Sequence, residues 1–133
     1  MQVISLDHVN IITADLKKTT KFYSGLLQLV VKNGPKPMRP EHAQWLYDMR
    51  GRAVIHVNVA GAYQVFEKNA KPCGPTGALH HVAFDCEGYA DLLKRVKAMS
   101  LDYKTNEVTS IGLKQVFVFD PNDVLLELNF RNN

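Results

Sequence analysis

Cysteine is scarce in this 133-residue chain. Cys73 and Cys86 are too few and too irregularly placed for a disulfide framework or a zinc ribbon, so a reduced, cytoplasmic protein is expected. Long apolar runs are missing as well, and nothing approaches the roughly 20 residues that cross a bilayer, so no membrane partner is expected. Charge of one sign is weak: 16 Lys and Arg against 13 Asp and Glu leave +3, spread along the chain. That gives little support to nucleic acid as a partner and slightly favours a small anionic molecule. The stretch from Met1 to Ile12 contains Asp7 and His8 and has no basic leader ahead of an apolar core, so it does not read as a signal peptide.

What is present is a core's worth of apolar residues, 46% of the chain, and an internal repeat. Leu6-Asp7-His8-Val9-Asn10 reads against Leu79-His80-His81-Val82-Ala83, and Val54-Ile55-His56-Val57-Asn58-Val59 reads against Leu125-Leu126-Glu127-Leu128-Asn129-Phe130. In the first half a β-branched strand over Leu6 to Ile12 runs into Thr13 or Asp15 as a helix cap, and Leu16, Tyr23, Leu26 and Leu27 then recur at helical spacing. A strand over Leu29 to Lys32, a proline-rich loop from Asn33 to His42, and a hairpin of Gln44 to Met49 with Ala53 to Val59 complete it. The order repeats with a strand over Leu79 to Asp85, a helix over Tyr89 to Met99, a strand near Tyr103 to Val108, and a hairpin of Gly112 to Phe119 with Val124 to Phe130. The expected fold class is α+β, two tandem βαβββ modules with curved mixed sheets forming a cup around a metal site. Module one spans 1–62, a linker 63–78 with its Pro and Gly residues between Asn69 and Gly77, and module two 79–133.

The repeat places His8 on His81 and His56 on Glu127, four metal-capable side chains at two pairs of equivalent positions. The turn Asp120-Pro121-Asn122-Asp123 predicts a three-residue loop with Asp123 in the left-handed region, which pairs Asp120 with Val124 and Glu127 with Phe117. Gln115, Phe117, Glu127 and Asn129 then share one face, and Val116, Val118, Leu126 and Leu128 the other, under the helices. Glu127 in an apolar strand needs compensation for its charge. Strand alternation lets only one of His80 and His81 face the cup, and the repeat selects His81. The same pairing carried back to the first hairpin puts Trp45 and Tyr47 on the helix-facing side with Ile55. His42, in the proline-rich loop, is expected at the surface. Gln115, Asn58 and Asn129 are candidates for orienting a substrate, or for satisfying neighbouring backbone groups.

The opening Leu-Asp-His-Val-Asn-Ile-Ile-Thr-Ala-Asp-Leu, the helix end Lys-Phe-Tyr-Ser-Gly-Leu-Leu-Gln-Leu, Leu-His-His-Val-Ala-Phe-Asp, and Phe-Val-Phe-Asp-Pro-Asn-Asp-Val-Leu-Leu-Glu-Leu-Asn-Phe together resemble the vicinal oxygen chelate superfamily. That group holds glyoxalase I, the extradiol dioxygenases, and the fosfomycin and bleomycin resistance proteins. The resemblance covers essentially the whole chain and implies a divalent cofactor such as Fe2+, Mn2+, Zn2+ or Ni2+ and a small-molecule substrate. His8, His81 and Glu127 match the two-His-one-carboxylate set of extradiol enzymes and fosfomycin thiol transferases. His56 falls where glyoxalase I has a fourth ligand and near where extradiol enzymes have an acid-base histidine. Two departures stand out: Phe117 replaces a tyrosine usual in extradiol enzymes, and Ile12 replaces a glutathione-binding arginine of glyoxalase I. Bleomycin-type binders lack the metal set altogether.

The resulting expectation is a metal-dependent enzyme that chelates adjacent oxygens of a small substrate. His8, His81 and Glu127 hold the ion, and His56 is a fourth ligand or the catalytic acid/base. Because Ile12 removes a thiol-cofactor feature, a dioxygenase-type reaction is slightly preferred to a glyoxalase-like lyase or isomerase, with a sequestering resistance protein third. A homodimer is expected, since the linker can direct the second module onto a partner chain.

Overall fold

A computed structural model of the chain describes residues 1–63, 66 and 70–131. Asn69 and several other residues of the expected linker lie outside the described residues. The chain divides into two compact units, Met1–Pro72 and Cys73–Asn133. The first runs β1 (Val9–Thr13), α1 (Leu16–Leu27), β2 (Val30–Asn33), β3 (Ala43–Tyr47) and β4 (Ala53–Val59). The second runs β5 (Val82–Asp85), α2 (Tyr89–Ala98), β6 (Tyr103–Val108), a single 3-10 turn, β7 (Leu113–Phe119) and β8 (Leu125–Arg131). Each unit is a four-stranded mixed sheet, ordered β1-β4-β3-β2 and β5-β8-β7-β6, in which only the outer β1 and β5 run parallel to their neighbours. The α+β class and the repeated βαβββ order are those the sequence implies.

Local chemistry explains the elements. Asp15 is the N-cap of α1 and accepts from the Lys18 amide at 2.9 Å, while Thr13 Oγ1 accepts from the Asp15 amide at 3.0 Å. The helix stops at Gln28, whose left-handed φ of 57° turns the chain into β2. Phe22, Tyr23 and Leu26 are buried with Ile11, Leu46, Ile55 and Val57, and Lys17, Lys18 and Lys21 stay exposed. In the second unit Leu92 and Val96 of α2 are buried with Val116, Val118, Leu126 and Leu128, while Leu93 and Met99 are half-buried.

The second hairpin has the expected register. Asp123 has a φ of 62°, the Asp120 amide bonds the Val124 carbonyl at 3.0 Å, and Phe117 pairs with Glu127 and Gln115 with Asn129. The first hairpin departs from it. Asp48 closes the turn, its Oδ1 accepting from the Arg50 and Arg52 amides at 2.9 Å each, and Tyr47 pairs with Ala53. A bulge between Leu46 and Tyr47 then moves the register by one residue, so Leu46 pairs with Ile55 and Trp45 with His56. Because side chains alternate along a strand, one inserted residue reverses the faces. Trp45 therefore stands on the His56 side, not with Ile55, and Tyr47 joins it there, its ring 4.6 Å beneath Lys32 Nζ. His42 is half-buried, its carbonyl accepting from the Val59 amide at 2.8 Å.

Candidate metal centre

Each unit brings its own pair of candidate ligands together. In the first, Asn10 pairs with His56 across β1 and β4, so residue 8 reaches the same face, and the His8 and His56 rings stack with centroids 3.7 Å apart. Trp45 stacks on His56 at 3.9 Å with an interplanar angle of 1°. His56 is thus sandwiched between an indole and an imidazole. Burial, and to a smaller degree the neighbouring His8, holds its pKa below the ordinary histidine value, against a lesser upward pull from Asp7. A neutral imidazole is the form that binds a metal or accepts a proton. His8 Nδ1 lies 2.5 Å from Asp7 Oδ2, and this contact holds the Asp7 carboxyl below its usual range. A carboxylate on one ring nitrogen fixes the ring and leaves Nε2 as the coordinating atom.

In the second unit His81 Nε2 lies 3.2 Å from Glu127 Oε2. The other carboxylate oxygen, Oε1, accepts from Gln115 Nε2 at 2.8 Å and from Asn129 Nδ2 at 2.9 Å. Gln115 Nε2 also donates to Asn129 Oδ1 at 3.0 Å, and Asn106 Nδ2 donates to Gln115 Oε1 at 2.7 Å. A carboxylate only accepts, so it fixes which end of each amide faces it, and the orientation propagates outward to Asn106. Two amide donors on Oε1, with the His81 ring beside Oε2, supply the compensation that a carboxylate only 14% exposed requires. His80 Nδ1 lies 2.9 Å from His81 Nδ1, with the rings perpendicular, so His80 flanks the pair and His81 meets Glu127.

The donor set suits a divalent ion. Two ligands about 2.1 Å from an ion, at an angle near 100°, are about 3.2 Å apart, the separation of His81 Nε2 and Glu127 Oε2. Among the described residues no group of three or more His, Cys, Asp or Glu side chains is gathered within either unit. Each pair by itself falls short of the three or four protein ligands that a catalytic ion takes.

Two of the three candidate orienting residues have other partners. Gln115 and Asn129 are spent on Glu127 and on each other, while Asn58, buried on β4 opposite Ala43, has an Oδ1 with no hydrogen-bond partner. Asp7 and Asn106 were not legible as site residues, and His80 was legible only as an alternative to His81. Asp7 and His80 touch their immediate chain neighbours, which strand alternation forbids, and they can do so because β1 begins only at Val9 and β5 only at Val82. Asn106 would follow from the β6–β7 register, in which it pairs with Gln115.

Comparison with known proteins agrees with this fold. The sequence profile of the Glyoxalase/Bleomycin resistance protein/Dioxygenase superfamily matches residues 5–128. A protein of Arabidopsis thaliana named Glyoxylase I 4 is 26% identical over 131 residues, covering 96% of this chain and 71% of its own. A solved structure from the mobile metagenome of V. Pseudocholerae superposes with a TM-score of 0.76 at 18% identity, covering 100% of this chain and 98% of that one. The genomically encoded fosfomycin resistance protein FosX of Listeria monocytogenes superposes with a TM-score of 0.67 at 17% identity, covering 98% and 96%. A variant of FosX at the same TM-score of 0.67, 17% identical and covering 98% of this chain and 93% of that one, is complexed with Mn(II) and 1S,2S-dihydroxypropylphosphonic acid. These structural likenesses share the fold.

Proposed function

The chain belongs to the Glyoxalase/Bleomycin resistance protein/Dioxygenase superfamily, and from that membership we propose that it is a metal-dependent enzyme acting on a small molecule with two adjacent oxygen atoms. His8, His81 and Glu127 are the ligands of a divalent ion, and His56 is its fourth ligand or the acid/base group. The observation that carries the reading is the Glu127 carboxylate, with Oε1 held by two amides while Oε2 is left to His81. The FosX complex with Mn(II) supports an ion of that type. Such an ion would polarise the chelated oxygens and stabilise charge that develops on them. His56, kept neutral by its burial, accepts a proton from the bound substrate and returns it later, with the Trp45 ring fixing its plane. Asp7 performs the same positioning for His8, and Gln115 and Asn129 for Glu127.

A dioxygenase-type reaction is the first choice, because Ile12 stands where a thiol-cofactor arginine would be. A glyoxalase-like lyase or isomerase is the second, favoured by the name of the Arabidopsis relative. Sequestration is the third, and the Trp45 ring on the His56 face supplies the aromatic wall it would need. Protein purified without chelators and reconstituted with Fe(II), Mn(II), Zn(II) or Ni(II) is expected to hold about one ion per chain. Less than a tenth of an equivalent with every ion overturns the reading. Oxygen consumption over catechols, against loss of 2-oxo aldehydes, separates the first two reactions. His56→Ala separates the two roles: metal retained with turnover lost marks the acid/base, and metal lost marks a ligand.

A further inference from the structure

We propose that the cleft beside His56 binds a small organic anion, with Arg52 as its anchor and Trp45 as its apolar wall. The cleft lies wholly within the first unit and measures about 360 Å³, at the small end of the range for ligand sites. Leu6, Ala53 and the Trp45–His56 stack form its apolar part, and Ser5, Asp7 and Arg52 are its polar groups. An apolar body with one oriented cation is a recognition surface for an organic acid.

Arg52 is held for that task. Asp48 is fixed as the cap of the β3–β4 turn by two backbone amides, and its Oδ2 accepts from Arg52 Nε at 2.9 Å and lies 2.8 Å from Nη2. A guanidinium has five N–H donors, so this contact uses one edge and leaves the Nη1–Nη2 edge for another oxyanion. Because Asp48 balances the charge, the anchor works through directed N–H donors rather than net charge. Among the described residues Asp7 is the only acid on the cleft wall, and its Oδ2 is engaged by His8 Nδ1. It limits the ligand to one anionic group, set at Arg52, with uncharged atoms toward the histidines. A carboxylate and a phosphonate both meet this requirement. The inference rests on the proposed function in one respect, that the occupant of the cleft is the substrate of the His8–His56 centre.

Trp45 is the only tryptophan in the chain, so its fluorescence reports occupation of this cleft directly. Metal-free and Mn(II)-loaded protein are titrated with butanoate, propylphosphonate and the uncharged butanamide, and the metal content of each sample is measured. Both anions are expected to give a saturable change with dissociation constants at least about tenfold below that of butanamide, and the tighter of the two names the oxyanion. Arg52→Gln should reduce this advantage to less than about threefold, and Arg52→Lys, which keeps the charge without the fork, should lose most of it. Absence of any response, equal affinity for anion and amide, or an undiminished advantage in Arg52→Gln overturns the proposal. Should the Gln variant fail to fold, full retention by the Lys variant does so. Anion selectivity without metal binding would overturn only the metalloenzyme reading, and metal binding without anion selectivity only the cleft.

Discussion

At the scale of single residues, Glu127 and the amides around it have separable roles. In the proposed centre the carboxylate would give charge and a ligand atom, whereas Gln115 would only orient it, so Glu127→Gln is expected to weaken Mn(II) binding far more than Gln115→Ala. The Gln115 change should cost about 10-fold, at the low end for an outer-shell partner, and titration of chelator-treated protein measures both. Equal losses would mean that Glu127 is not a ligand. His56 carries a pH signature. Its pKa is lowered in the folded protein by burial and by His8, so the unfolded chain binds more protons as pH falls below the ordinary histidine value. This part of the stability is complete above that value and is lost as pH falls through the range down to the depressed folded pKa. Metal-free wild type should therefore lose thermal stability between about pH 7 and pH 5 more steeply than His56→Phe, and parallel curves would remove the effect. The ligand candidates were readable from the repeat, and Gln115 and Asn129 beside Glu127 from the hairpin register, while Asp7 and the His80 contact were not. Asp7 and His80 make contacts that exist only because the strands start later than their apolar patterns suggest.

At the scale of elements, the two hairpins show where sequence reasoning holds. The β7–β8 register follows from Asp120-Pro121-Asn122-Asp123, because the turn chemistry is local. Asp120, buried, accepts from the Asn122 amide at 2.8 Å and the Val124 amide at 2.9 Å through Oδ1. Its replacement by Ala strands those donors and is expected to cost about 2 kcal/mol, read as a lower urea midpoint with an unchanged slope. A loss below about 0.5 kcal/mol would show that the turn holds without its aspartate. The β3–β4 hairpin failed because a bulge lies inside the strand, at Leu46 and Tyr47, where no glycine or proline marks it. One residue's shift brought Trp45 to His56 and changed the chemistry of that face, adding an indole to the imidazole pair with a cleft beside it.

At the scale of the whole molecule, the proposed ligands are divided between two units of one chain. His8 and His56 belong to Met1–Pro72, and His81 and Glu127 to Cys73–Asn133. Among the described residues neither half gathers a complete set, so under the proposed function the site and the assembly are a single question. We propose a homodimer in which the first unit of one chain completes its ligand set with the second unit of its partner. Under that arrangement His8→Ala and Glu127→Ala are each expected to bind little metal alone. When the two are mixed, dissociated and renatured, half of the dimers are mixed, and each of these carries one intact set and one doubly damaged set. Mn(II) binding should then recover to about a quarter of the wild-type level. If mixed dimers form, as mass spectrometry of isotope-labelled chains would show, and no binding returns, each chain builds its own site and the shared arrangement fails. If no dimer forms at any concentration, the proposal fails earlier.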